Sequence, residues 1–249
     1  MENFGSVWKT ADTVQPFRSI IIRNPKSEVK RRTLKPPESW KLHLPPSILL
    51  TISNGSCATL FDYIELHGRV PLLAQRSVFA QTAGSIAFLH NQQIVHGDIK
   101  EENLLLKVDS YGYYHAKLCD FGHAKRVKRA FKEMRFYGTR DISSPELLSN
   151  IKSIDERSRV AVSGYAQDVW ALGIILFTII HGSLPCNNDL YLNSDLDLSQ
   201  SLYFPTTYDA SISPDCLNLL HRLLCINPAD RISMSQVMMH PWIVNNSGY

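Results

Sequence analysis

The sequence predicts an α+β fold in two unequal parts, a first segment that is poorly structured or holds only short strands, followed by a larger, mainly helical one. Three observations carry this. From Ala11 to Leu49 the chain is rich in Pro, Lys, Arg and Ser, with PKSEVKRR, KPPES and LPPS segments that interrupt any helical or strand period. Beyond Cys57 apolar residues recur at nearly helical spacing, and between Ile94 and Leu118 that pattern gives way to short runs suited to strands. With 249 residues, 44% hydrophobic and 20% charged, the chain can bury a sizeable core, which excludes the disordered and fibrous classes.

Within the first segment the best strand candidate is Phe17 to Arg23 (FRSIIIR), a β-branched run between Pro16 and Pro25. Leu60, Phe61, Ile64 and Leu66 then predict a first helix. Val78, Phe79, Ala83, Ile86, Ala87, Phe88 and Leu89 predict a second, ending near His90. Ile94-Val95, Asn103 to Lys107 and Tyr113 to Leu118 are each apolar or aromatic enough for brief strands between turns. Further helices are expected over Asp168 to Ile180, Pro214 to Cys225 and Ser233 to Met239, and the sequence contains no internal repeat.

Lys plus Arg number 26 against 23 Asp plus Glu, a formal charge of +3, too near balance for the whole chain to be a nucleic-acid or membrane-surface binder. Five cysteines without a CxxC pair or zinc-like spacing fit reduced thiols better than a disulfide framework. The longest mostly apolar run, Val169 to Ile180, is shorter than the roughly 20 residues that span a bilayer. MENFGSVWKT has no basic head followed by an apolar stretch, so no signal peptide is expected. The expected setting is the cytoplasm, with the nucleus as the other reducing compartment.

HGDIKEENLLL (His96 to Leu106) places a carboxylate, an amine and an amide, Asp98, Lys100 and Asn103, at short spacing in what reads as a loop. CDFGHA (Cys119 to Ala124) adds Asp120 before a glycine, at the end of a short strand. Two carboxylates, an amide and a lysine are what phosphoryl transfer asks for: hard oxygen ligands for Mg²⁺, a cation for the phosphate, and a carboxylate to orient the attacking hydroxyl. Taken singly, Asp98 and Asp120 would read as turn-capping residues; their joint spacing argues for chemistry. His96 reads as a packed, hydrogen-bonded support of the loop.

On these motifs the chain resembles the eukaryotic-type protein kinases, whose catalytic loop and metal-binding motif follow HRD-x-K-x-x-N and DFG. GTRDISSPE (Gly138 to Glu146) has the spacing of the family's GTxxYxAPE segment, and DVWALGI (Asp168 to Ile174) is similar to its central buried helix. NPADRIS (Asn227 to Ser233) offers Arg231 as the partner of Glu146, and HPWI (His240 to Ile243) resembles the closing motif. The resemblance covers residues 58 to 245. It implies a protein-kinase-like bilobal α+β fold, with residues 1–57 an abbreviated β N-lobe and residues 58–245 a complete helical C-lobe. It also implies ATP and Mg²⁺ as cofactors and a protein substrate with a Ser or Thr phosphoacceptor. Asp98 would be the catalytic base or hydroxyl-orienting group, Lys100 would contact the γ-phosphate, and Asn103 with Asp120 would hold Mg²⁺. The lysine two places after Asp98, and GT before SPE, resemble serine/threonine rather than tyrosine kinases. LFDYI and HPW look most similar to the calcium/calmodulin-dependent and nutrient-sensing group.

The chain also departs from the family pattern. NFGSV keeps only Gly5 and Val7 of the GxGxxGxV loop, with Glu2 where the second glycine belongs. Arg23 stands where the nucleotide-anchoring lysine is expected, and its planar fork does not replace a point charge. Nucleotide binding would therefore draw on Gly5, Val7, Arg23, Lys100 and Asp120, near a hinge at Leu50 to Asn54. Gly97 replaces the arginine of HRD. Between Gly122 and Thr139 there is no Ser or Thr, and six basic residues (Lys125, Arg126, Lys128, Arg129, Lys132, Arg135) face one acid, Glu133. Activation by phosphorylation of that loop is therefore not expected; the loop reads first as a solvated basic segment, and in the sharper alternative as a docking surface for an acidic substrate or partner. Glu101 and Glu102 argue the other way, toward a basic substrate, so substrate preference stays open. These departures set an alternative beside the enzyme: a pseudokinase scaffold that binds partners through its C-lobe and basic loop without turnover.

Overall fold

The computed structural model describes residues 57–127, 142–152, 162–185 and 212–245, all of them inside the compact unit Ser56–Tyr249. The expectations for Phe17 to Arg23, for Gly5, Val7 and Arg23, for the hinge and for most of the basic loop lie outside the described residues.

β1 is a two-residue strand (Ala58–Thr59) that leads directly into α1 (Leu60–His67). The Thr59 hydroxyl accepts from Asp62 N at 3.0 Å while Asp62 Oδ2 accepts from Thr59 N at 3.1 Å, a reciprocal cap that fixes where the helix starts. α2 (Leu72–Asn91) buries Ala74, Val78, Phe79, Thr82, Ala83, Ile86 and Leu89, a stripe at three- and four-residue spacing that faces the core.

β2 (Ile94–Val95) and a 3₁₀ turn (Glu101–Asn103) precede an antiparallel hairpin of β3 (Leu104–Val108) and β4 (Tyr114–Leu118), with β1 on the other side of β3. Leu104, Leu106, Ala116 and Leu118 are buried, and the alternation turns them to one face, against which α2 packs. Gln81 of α2 completes the outer edge of β4: its amide donates to Tyr114 O and accepts from Ala116 N, both at 2.9 Å. At the hairpin tip Asp109 Oδ1 accepts from Tyr111 N and Tyr113 N at 2.9 and 3.0 Å, and Gly112 takes φ +84. β5 (Lys125–Arg126) returns to pair with β2, Ile94 opposite Arg126.

α3 (Pro145–Lys152) and α4 (Gly164–His181) follow. By length and composition α4 could cross a membrane, unlike the shorter apolar run read from the sequence, because its Ser163 cap starts the helix well before Val169; it is instead the core helix, 83% buried inside the protein. α5 (Pro214–Leu223) lies so close that a Cβ on Gly173 would come within 2.7 Å of Leu224 Cδ2. α6 (Met234–Met238) and α7 (Pro241–Val244) are the last described helices, with the Trp242 ring tilted 59° against Phe79 of α2 at 5.4 Å between centroids. The helices expected from the sequence are present within a few residues; β1, β5, α3 and α7 were not among the expected elements. The mixed helices and small sheets agree with the α+β class.

Candidate active site

The register of the β3–β4 hairpin decides which oxygens meet. Leu104 pairs with Leu118, so Asn103, just before β3, lies across from Cys119, whose N–H donates to Asn103 O at 2.8 Å. Asp120 follows at once. It is exposed and takes φ +58, a left-handed value that Asp tolerates better than most residues. Its Oδ1 accepts from Gly122 N at 3.0 Å, which leaves Oδ2 available.

Asp98, in the loop between β2 and the 3₁₀ turn, is 5% exposed. Its Oδ2 accepts from Asn103 Nδ2 at 3.0 Å and lies 3.1 Å from Lys100 Nζ. Asn103 Nδ2 donates also to Asp98 O at 2.8 Å. With the amide nitrogen committed to Asp98, the Asn103 side-chain oxygen is the end left for a cation. Oδ1 of Asp98 is buried and has no hydrogen-bond partner. An unmatched carboxylate oxygen is costly to bury, and here it is an acceptor that an incoming hydroxyl can satisfy. The donor set of one amide oxygen and one carboxylate is hard and oxygen-only, as Mg²⁺ requires, so these residues fit that ion.

His96 joins the two loops. It is fully buried; its Nδ1 accepts from Asp98 N at 3.3 Å and its Nε2 lies 3.2 Å from Cys119 O, which assigns the hydrogen to Nε2 in a neutral ring. Burial lowers its pKa and outweighs the charges of Asp168, Asp98 and Asp120, which act in the opposite direction. This is the packed, hydrogen-bonded support read from the sequence.

Asp168 had no role in that reading beyond membership of a buried helix. It anchors the loop from within α4: Oδ2 accepts from His96 N at 2.8 Å and from His90 Nε2 at 2.9 Å, and Oδ1 accepts from Gly97 N at 2.9 Å. The available signal was a carboxylate heading an apolar helix, a charge that cannot be buried without donors. Gly97 takes φ +77, and a Cβ there would meet His123 O at 3.2 Å. The glycine therefore does more than omit an arginine; it allows a backbone turn that side chains rarely adopt.

The expected pair of Glu146 and Arg231 is present and bidentate, Nη1 to Oε1 at 2.8 Å and Nη2 to Oε2 at 2.9 Å. The guanidinium also donates to Cys225 O, Ala166 O and Ile226 O and lies over the Trp170 ring at 4.9 Å. It ties α3 to α4 and to the turn before α6. Of the candidate residues, Asp98, Lys100, Asn103 and Asp120 thus come together in two touching loops, while Gly5, Val7 and Arg23 lie outside the described residues.

A family model described as the protein kinase domain matches residues 42–243. The chain belongs to the protein kinase family. It is 30% identical over 190 residues to the meiosis-specific serine/threonine-protein kinase mek1 of Schizosaccharomyces pombe, covering 76% of this chain and 41% of that protein. It is 34% identical over 185 residues to the putative serine/threonine-protein kinase YPL150W of Saccharomyces cerevisiae (74% and 19%), and 34% identical over 194 residues to the serine/threonine-protein kinase ppk6 of S. pombe (78% and 22%). The matched region spans less than half the length of each of these relatives.

Proposed function

We propose that this chain is an ATP-dependent protein serine/threonine kinase. The observation that carries the reading is the buried Asp98 Oδ1, an acceptor without a donor, beside Lys100 and Asn103. Asn103 and Asp120 would hold Mg²⁺ with ATP, and the ion supplies charge neutralisation on the phosphates. Asp98 Oδ1 accepts the substrate O–H and orients its oxygen in line with the γ-phosphorus; as the new O–P bond forms and the bond to the β-phosphate oxygen breaks, Asp98 takes the proton. Lys100 Nζ is the cation within reach of the transferred group. His96, neutral and buried, holds the two loops together without competing for the proton.

The serine/threonine assignment is supported by the lysine at position 100 and by the similarity to serine/threonine-protein kinases. An acidic substrate or partner at the basic loop, and a cytoplasmic or nuclear setting, belong to the same proposal and rest on composition. The scaffold alternative drew on Glu2, Arg23 and the shortened N-lobe, which lie outside the described residues.

The test is transfer of label from γ-labelled ATP to Ser/Thr acceptor proteins. Asp98→Asn is expected to cut transfer by about 10²- to 10⁴-fold while leaving the fold intact, and Asp120→Asn to weaken Mg-ATP binding measured by calorimetry. Undiminished transfer by Asp98→Asn would overturn the reading, as would a wild-type protein that binds partners and never transfers phosphate.

A further inference from the structure

We propose that His240 is an acid-released cap, a neutral imidazole that fastens α7 to the molecule and lets it go when the ring takes up a proton. Nδ1 of His240 accepts from Trp242 N at 3.3 Å, and Nε2 lies 3.0 Å from Asn218 Oδ1 of α5. A carbonyl oxygen only accepts, so Nε2 carries the hydrogen and Nδ1 is the bare nitrogen. The ring thus closes the first turn of α7 with one nitrogen and ties that turn to α5 with the other. An imidazolium carries a hydrogen on both nitrogens and has no acceptor left. On protonation the new Nδ1–H would face the Trp242 N–H, and the cap becomes a repulsion.

The four residues Pro241–Val244 are too few to stand as a helix alone. Besides the cap, α7 is held by the buried Ile243, by the Trp242 ring against Phe79, and by Arg76 Nη1, which donates to Asn245 O where the helix ends. None of these titrates near neutrality, so the pH response falls to His240. The elements packed on α7 are α5, α2 and α6. α5 brings Arg222, Asp215 and the exposed His221, α2 brings Arg76, and neither α6 nor α7 carries a titratable side chain. Burial first, and then the Arg222 charge, hold the His240 pKa below 6.5, while Asp215 acts in the opposite direction. When α7 opens, the ring returns to water and to its ordinary pKa. The opened form then takes up a proton that the closed form refuses. Opening therefore becomes easier as pH falls from 6.5 to the folded pKa, by up to about ten-fold in the opened fraction per pH unit. The segment that lifts away bares Phe79, which is wholly buried while α7 is closed.

The test is hydrogen exchange of the full chain followed by NMR at about pH 7.5 and about pH 5.5, each rate being divided by the intrinsic rate at that pH. In the wild type, protection of the Trp242, Ile243 and Val244 amides should fall by as much as about ten-fold relative to the α4 core. His240→Asn keeps a good N-cap without a titrating group, so it should retain the protection seen at about pH 7.5 and lose most of the pH dependence. The Asp98 amide, which bonds His96 Nδ1 in the same way, should respond alike in both proteins and so separates the two rings. The proposal is overturned if α7 keeps its protection in the wild type at about pH 5.5, or if His240→Asn loses it to the same extent. Should His240→Asn fail to fold, the imidazole nitrogen shifts of the wild type decide. A bare Nδ1 that gains its hydrogen over the pH range in which α7 loses protection supports the proposal; a hydrogen on Nδ1 at about pH 7.5, or a titration that α7 does not follow, overturns it. None of these readouts depends on phosphoryl transfer.

Discussion

Asp168 and Asp98 are both carboxylates less than a tenth exposed, yet their surroundings are opposite. Asp168 receives three donors spread over both oxygens, while Asp98 receives its partners on Oδ2 and none on Oδ1. Amide and imidazole donors from the chain itself offset the loss of water at Asp168. Asp98 remains one donor short, and folding alone does not repay that. The first residue holds the loop; the second is the one the proposed reaction would use. Ser144 Oγ and Trp170 Nε1 are also buried without partners, but they are neutral, and neither stands beside a lysine and an amide that complete a reaction. An orphaned atom points to chemistry only where its neighbours can finish the step.

Removing each carboxylate should break this contrast in opposite ways. Asp168→Ala leaves the His96 and Gly97 amides and the His90 ring without an acceptor in a dry interior, and the expected loss is about 3–5 kcal/mol in urea unfolding. Asp98→Asn should change stability by less than about 1 kcal/mol in the same titration, because the lost ion pair is balanced by relief of an unmatched charged oxygen. Equal losses in the two variants would erase the distinction.

A second, smaller effect separates the supporting imidazole from both acids. The His96 pKa is lowered from 6.5, chiefly by burial. Above that value neither the folded nor the unfolded ring is protonated. Below it the unfolded chain binds a proton that the folded chain refuses, so stability falls as pH falls, down to the folded pKa. The slope can reach about 1.4 kcal/mol per pH unit for one proton. His96→Asn should flatten the decline between pH 6.5 and about pH 5, measured by thermal melts. His240, lowered mainly by burial and then by Arg222, adds a residual slope. An unaltered slope in His96→Asn would assign the decline to other groups. Gly97→Ala, which places a Cβ at positive φ and near His123 O, should cost about 1–2 kcal/mol; an unchanged unfolding midpoint would show that the backbone there does not need glycine.

Much of this architecture was legible before any coordinates. Apolar spacing located α1 and α2, and α2 ends at Asn91, one residue past the expected end. The apolar run from Val169 showed α4 but not its first turn, because Ser163-Gly164 reads as a turn until the Ser163 hydroxyl is seen accepting from Ala166 N. β5 carried no local signal: Lys125 and Arg126 are polar, and they form a strand only because Ile94 and Val95, some thirty residues earlier, pair with them. At the site, residue types and spacing were enough to identify Asp98, Lys100, Asn103 and Asp120 as candidates. Which oxygen of Asp98 is left unmatched, and which end of Asn103 faces it, depend on side-chain rotation, on which spacing is silent. Asp168 was hidden for the same reason, since two of its three partners are backbone amides that any residue could supply.

The β3–β4 hairpin keeps count for chemistry it never touches. Side chains alternate along a strand, so one residue added to the Asp109–Tyr113 turn would reverse the facing of Tyr114 to Leu118 and slide Cys119 away from Asn103. The gap between Asn103 and Asp120 thus depends on the number of residues in a distant loop whose shape Asp109 and Gly112 set. Tyr111 and Tyr113 are largely exposed at the tip, so substitutions there should be tolerated, whereas a change in the length of the turn should move Asp120 relative to Asn103.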